Sequence, residues 1–283
     1  MDPASFEVTR RRKRAKTDRI DVDKLLRLLI RHHLGEKKVW SVVRVPSEEA
    51  EDHRQLHREL EVLSRERTRH VNRIRGLLAS VGIREIQLGR KFVDTLAALR
   101  LWDGRRLPPA LHCRLLREWK RILMIQQQQR DLREELTEIL EQWESPEADQ
   151  VRRLAGLRGI GPSSAWLLVM ELFGWRDLKN RRQVGALAGL TPTPHASGDV
   201  DREQGISKAG NRLVRARAVE LAWCWLRFQP QSALSQWFNQ RFGPGTGRMR
   251  RVGIVALARR LLVVLWRYAE HGIVPDRAVV KAA

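Results

Sequence analysis

The chain reads as mainly α-helical, with a long antiparallel coiled-coil hairpin at its centre and a helical C-terminal domain. Three observations predict this. Apolar residues recur at alternating spacings of four and three through two charge-rich stretches, the mark of a heptad seam. Proline and glycine gather at the ends of those stretches rather than inside them. Hardly any segment alternates apolar and polar residues with period two, as a half-buried strand would.

Taken in order, residues 1–17 form an irregular basic arm carrying Arg10, Arg11, Arg12, Lys13 and Arg14. A helix is expected to open at Thr17 as N-cap, with Asp18, Asp21 and Asp23 in its early turns, where negative charge suits the helix dipole. Leu25, Leu26, Leu28 and Leu29 give it an apolar side, and Gly35 ends it. From Ser47 to Val81 the seam runs through Leu56, Leu60, Leu63, Ile74, Leu77 and Val81, and its continuation puts Arg67 and His70 at two seam positions. After a short helix over Phe92 to Trp102, a second long helix starts at Pro108-Pro109. It carries Leu115, Ile122, Ile125, Leu132, Leu136, Ile139 and Trp143, with Glu118 and Gln129 as polar seam positions, and Pro146 stops it. Such a hairpin can pair with a second chain, so a homodimer or tetramer is expected. Beyond it come helices at 163–172, 181–188, 208–227, 231–241 and 249–271, with a Pro-, Gly- and Asp-rich loop between the second and third.

Charge narrows the partner. The 283 residues carry 54 Lys+Arg against 33 Asp+Glu, a net +21. Residues 1–150 hold 32 and 25, net +7, whereas residues 151–283 hold 22 and 8, net +14. A surplus of this size calls for a polyanion, and arginine favours bidentate phosphate contacts. With 42% hydrophobic residues a real core is available, which excludes wholesale disorder. Two distant cysteines, Cys113 and Cys224, exclude a zinc knuckle or a disulfide framework and suit a reducing compartment. Neither a membrane span nor a secretory signal is legible, so a soluble cytoplasmic protein is expected.

Three constellations could carry chemistry. Leu157 to Ala165 reads as the turn of a helix-hairpin-helix-like motif, in which Gly159 and Gly161 let the backbone approach a phosphate and Ser163 stands where a helix N-terminus offers free amides; a plain inter-helix turn has the same pattern. Asp18 and Asp21, three apart, share a helix face and could share a divalent cation such as Mg2+, although acids in a first turn also serve as dipole partners. Ser197, before Gly198, could be an exposed nucleophile on a turn, and Ser207 before Lys208 reads as an N-cap.

Together these segments resemble the DEDD-type insertion-sequence transposases, the "IS one-ten" family, in its Lys-Thr-Asp-x-x-Asp-Val-Asp-Lys-Leu-Leu branch. Asp2 to Val8 with Ala15 to Leu26, Leu157 to Ala165, and Gly189 to Arg212 with Gln229 to Leu234 carry the likeness. The resemblance implies a ribonuclease-H-like domain with four acidic metal ligands, a dimerising coiled coil, and a C-terminal domain with a nucleophilic serine. On it, residues 1–46 are a basic arm and the remnant of the resolvase-like domain, 47–147 the coiled coil, and 148–283 the transposase domain. Asp18 and Asp21 match the last two acids, which hold Mg2+, and Ser197 matches the serine. Lys208, Arg212, Arg11 and Arg12 would neutralise phosphate, and His195 could assist proton transfer.

The partners implied are DNA and a structured guide RNA. Only Asp2 and Glu7 precede Asp18, so the first two acids of the tetrad are expected to be absent. The alternative expectation is therefore a truncated, non-catalytic nucleic-acid-binding remnant. A tyrosine recombinase is disfavoured, because the single tyrosine, Tyr268, sits in an apolar helix where it reads as packing.

Overall fold

A computed structural model describes residues 18–36, 39–40, 45–197 and 200–281, apart from the side chains of Ile20 and residues 194–204. The chain divides into two units, residues 1–47 and 48–283. In the first, α1 (Asp18–His33) has Asp18 and Asp21 in its first turn and Arg31, His32 and His33 in its last, matching both ends of its dipole. Of its expected apolar side Leu28 is buried, while Leu25, Leu26 and Leu29 are exposed. Thr17, the expected N-cap, lies outside the described residues, as do Arg11 and Arg12 of the basic arm.

The second unit is built on two long helices, α2 (Glu48–Ala79) and α4 (Pro109–Gln142). They run antiparallel: His70 meets Glu118, while Ser64, earlier on α2, meets Gln129, later on α4. Leu60, Leu63, Ile74 and Leu78 of α2, and Leu115, Ile122, Ile125 and Leu136 of α4, are buried. Glu118 and Gln129 are buried seam residues with polar partners. Arg67 departs from expectation and is exposed, which spares a guanidinium the cost of burial. The connector includes α3 (Phe92–Ala98) and forms its own core with the helix ends, around Phe92, Leu96, Leu107 and Trp119.

The open ends of α2 and α4 pass into a larger core. Pro146 begins α5 (Pro146–Gly156), so the domain boundary expected near residue 148 falls inside this compact unit. Arg152 of α5 donates to the carbonyls of Leu140 and Trp143, satisfying the C-terminal end of α4. Then come α6 (Pro162–Leu168), a π-helical turn at Val169–Phe173, and α7 (Arg181–Leu187). The unit ends with α8 (Arg212–Phe228), α9 (Ala233–Phe242) and α10 (Gly247–His271). Trp166 and Trp225 are fully buried at the centre, and Tyr268 is buried on α10.

Two expectations need correction. The stretch expected to be a loop is an antiparallel β-hairpin, β1 (Pro192–Ser197) and β2 (Val200–Ile206). Each strand has one neighbour, so Pro192 and Pro194 can lack an N–H without breaking a ladder on the other side, and the register shifts between them. Ser207 is not an N-cap. The following helix starts four residues later than expected, because Lys208 (φ 55) and Gly210 (φ 126) adopt left-handed or extended positive-φ backbone and Asn211 caps the helix instead.

Candidate functional site

The β-hairpin stands on a tightly built base. Ser207 N–H donates to the Thr191 carbonyl at 2.8 Å, Lys208 N–H to Gly189 at 3.1 Å, and Asn211 N–H to Leu187 at 2.7 Å. A Cβ on Gly189 would lie 2.6 Å from the Ala209 carbonyl, and one on Gly210 would collide with the Leu187 carbonyl. Two chain segments cross here at backbone contact, so both positions require glycine. Arg215 closes the base by donating to the carbonyls of Ala188 (3.2 Å) and Lys208 (3.0 Å).

Asn211 ties this base to the core. Its Oδ1 accepts from the backbone of Leu213 and Val214, capping α8, and its Nδ2 donates to Glu171 Oε2 at 2.8 Å. Glu171, in the π-helical turn, also accepts from His57 Nε2 (2.8 Å) and Arg58 Nε (3.0 Å) of α2. Burial alone would push the Glu171 carboxyl up, but the hydrogen bonds from His57 and Arg58 outweigh it and hold the carboxyl at about 2. Beside it Arg54 donates to the Met170 carbonyl at 2.9 Å and lies over the Trp175 ring at 4.3 Å. Arg217 of α8 reaches Glu61 of α2 at 2.5 Å. Sequence reasoning missed this junction, although one signal was present: Glu171 is the lone acid in the run Trp166 to Phe173, and a buried carboxylate needs partners.

Ser197 is the last residue of β1, paired with Val200. Five strand steps separate it from Pro192, roughly 17 Å from the hairpin base. Its side chain and that of His195 are outside the described residues. Lys208 and Arg212 are exposed at the base and, among the described residues, have no carboxylate partner. Asp18 and Asp21 belong to the other unit, exposed on the first turn of α1, with Asp21 3.9 Å from Lys24. Asp18 and Asp21 stand three apart on one helix face and are the carboxylates that would hold Mg2+. Among the described residues no group of three or more His, Cys, Asp or Glu side chains could hold a metal.

Gly159, Gly161 and Ser163 occupy a separate turn, between α5 and α6. Gly159 has φ 92, and a Cβ there would meet Phe228 Cβ at 3.0 Å, so its missing side chain serves packing. Gly161 is the open position: a Cβ would meet nothing within 4 Å, and the residue caps α6 ahead of Pro162 and the half-buried Ser163. The turn is held from behind by the C-terminal segment. Leu157 bridges Val280, Lys281 Nζ donates to Ala155 and Ile160, and buried Gln229 donates to the carbonyls of Arg158 and Val279. Ser232 accepts from Trp225 Nε1 at 2.8 Å, so Gln229 and Ser232, the two buried residues of the Gln229 to Leu234 motif, serve structure.

Comparison with known proteins fits this arrangement. Residues 151–236, from α5 into α9, match the family model described as Transposase IS116/IS110/IS902 family. A Sinorhizobium fredii protein named as the transposase y4rJ is 44% identical over 99% of this chain and 73% of its own length. The transposase for insertion sequence element IS1328 of Yersinia enterocolitica is 30% identical over 77% of this chain and 63% of its own. That for IS1111A of Coxiella burnetii is 26% identical over 58% and 44%. The chain thus spans about half to three quarters of these relatives. No helix among the described residues is long and apolar enough to cross a membrane. With this likeness running along nearly its whole length, the chain belongs to the IS116/IS110/IS902 family of transposases.

Proposed function

We propose that the chain binds DNA and a structured guide RNA on its basic C-terminal face and delivers Ser197 to a phosphodiester during insertion-sequence transposition. The observation that carries this is the placement of Ser197 at the far end of a hairpin whose base is fastened to the core, with Lys208 and Arg212 exposed beside that base. Such a hairpin carries the Ser197 backbone away from its root, which is fixed to the core.

In the proposed step Ser197 Oγ gives its proton to solvent water and attacks phosphorus, forming a serine–phosphate bond. The bond from phosphorus to one sugar oxygen breaks, and that sugar leaves as a hydroxyl after taking a proton. Lys208 and Arg212 offset the phosphate charge at the hairpin root, and Asp18 and Asp21 would hold Mg2+. When bound, Mg2+ supplies neutralisation of phosphate charge. Gly161 and Ser163 offer a second, backbone-based phosphate contact, and the α2–α4 hairpin serves as a coiled-coil dimerisation arm.

Ser197→Ala is expected to abolish covalent protein–DNA adducts, seen as a band surviving denaturing gels, while DNA binding is retained. Strand exchange at the wild-type rate would remove the serine from the reaction. The rival reading, a protein that binds nucleic acid without cutting it, rests on the same basic surface. It is favoured if the wild-type chain, given Mg2+ and its guide RNA, forms no adduct at all.

A further inference from the structure

We infer that the tip of the α2–α4 hairpin is a separate binding site for unpaired nucleic acid, with Trp102 as the platform on which a base stacks. Trp102 is 90% exposed, the most exposed large apolar side chain among the described residues. Most of the connector does the opposite. Phe92, Leu96 and Leu107 are buried, and Ile83, Ile86, Leu88, Leu99 and Leu101 pack against them and the helix ends. A connector that packs all its other large apolar side chains but Val93 inward and leaves its one tryptophan 90% exposed presents that ring to a partner.

The ring is carried on an ordered turn. Arg100 bridges Arg106, Leu101 N–H donates to the Arg105 carbonyl at 2.8 Å, and Gly104 N–H donates to the Leu101 carbonyl at 2.9 Å with φ 82 at the glycine. Asp103 is engaged by Arg105, whose Nε lies 2.6 Å away, and Arg100 Nη1 donates to the carbonyls of Ala97 and Leu99 at the end of α3. Arg84, Arg90, Lys91 and Arg106 are exposed and, among the described residues, have no carboxylate partner. Residues 82–108 carry six Lys+Arg and three Asp+Glu, net +3.

An exposed aromatic face on a connector that also carries free cations is the combination that holds single strands, the ring taking a base and the cations its phosphates. Paired bases inside a duplex cannot offer a face to the ring, so the ligand is unpaired. A protein partner fits less well. Anchoring tryptophans in protein interfaces sit inside a rim of further contacts that exclude water, whereas this one is bordered by arginine and aspartate, and the apolar neighbours are spent in the tip core. From His57 to Leu78, α2 rises roughly 30 Å, so the tip site is far from the hairpin root and does not depend on Ser197.

The test uses the full chain and short fluorescent oligonucleotides: unstructured RNA, unstructured DNA of the same sequence, and the corresponding duplex. Binding is followed by anisotropy across a salt series. Trp102→Ala is expected to weaken binding of the unpaired strands by about 5- to 100-fold at the salt concentration where purely electrostatic binding has faded. The slope against salt should not change. Arg106→Ala should instead lower that slope by about 0.7. Trp102→Phe should retain binding, which guards against misfolding as the cause. A 5-iodouridine-substituted strand should cross-link to Trp102 on irradiation. Loss with RNA alone identifies an RNA loop as the ligand, and loss with both strands identifies an unpaired base of either kind. Wild-type affinity in Trp102→Ala with no cross-link in residues 99–107 overturns the site. So does an equal loss with duplex, or a change in oligomeric state with affinity unaltered.

Discussion

Two carboxylates are buried against α2, Glu118 and Glu171, and each is met by a histidine and an arginine of that helix, yet they fasten different things. Glu118 lies on α4 and takes His70 at 2.5 Å, Arg73 at 3.2 Å and Arg121 at 2.8 Å, so it joins the two helices of one hairpin. Glu171 takes His57, Arg58 and Asn211, so it joins that hairpin to the root of the β-hairpin that bears Ser197. Their surroundings also differ. The His57 side chain is 2% exposed, whereas Arg73 and Arg121 around Glu118 are 45% and 50% exposed. Both carboxylates are buried and both meet a part-exposed arginine, but His70 at Glu118 is 17% exposed, so the Glu171 junction is the more closed of the two. Ionic groups therefore serve two ends here: one keeps local register, and the other connects distant parts of the unit.

The largest effect should come from opening the more closed junction. Glu171→Ala leaves His57 and the Asn211 amide without their acceptor inside the protein and Arg58 with Glu51 alone. Removing one partner of a buried charged cluster costs about 3–5 kcal/mol, measurable by urea unfolding. Amide exchange should rise over residues 187–191 and 205–214, at the hairpin root, while exchange around Ile122 changes little. A loss spread evenly over both regions would contradict the division. Acid should produce the same effect in the wild-type chain. The Glu171 carboxyl is depressed from 4.5 to about 2, so its contribution is full above about pH 4.5 and is lost as pH falls toward 2. That contribution is about 3 kcal/mol, and the Glu171→Ala variant should lack this part of the acid limb.

Glu118→Ala ranks next. Burial raises the Glu118 carboxyl, but His70 and Arg73 more than offset this and leave it lowered. Its partners are able to turn to water once it is gone, so the cost should be about 1–3 kcal/mol, with exchange rising around Ile74 and Trp119 rather than at the hairpin root. An effect on Ser197-dependent adducts as large as that of Glu171→Ala would show that the two junctions are not separable.

This contrast also marks what the sequence could reveal. Glu118 was legible because it lies in register with Leu115, Ile122 and Ile125, and a heptad reports residues three and four apart. Glu171 was not, because its partners His57 and Asn211 are 114 and 40 residues away, and no local period reports such pairs. The same limit hid the β-hairpin. Pro192, Pro194, Gly198 and Gly205 have the composition of a loop, and only the cross-strand register from Pro192 with Ile206 to Ser197 with Val200 makes strands of them. The Gly159 turn was legible as a turn, but Phe228, the residue that explains its glycine, comes 69 positions later.

The smallest effects should come from the arginines at the more open junction, and they give the comparison its finest test. Arg73→Ala and Arg121→Ala each remove a half-exposed partner from Glu118 while His70 remains, so each should cost under about 1 kcal/mol and less still in high salt. Arg58 holds the matching place at Glu171, at 3.0 Å, and also pairs with Glu51. Arg58 is 37% exposed, less than Arg73 or Arg121, and bridges two carboxylates, so Arg58→Ala should cost more than either and keep more of that cost when salt is added. Unfolding the three variants in low and high salt separates the cases. Equal costs that vanish together in salt would mean that both carboxylates see the same solvent, and the two junctions would then differ only in what they connect.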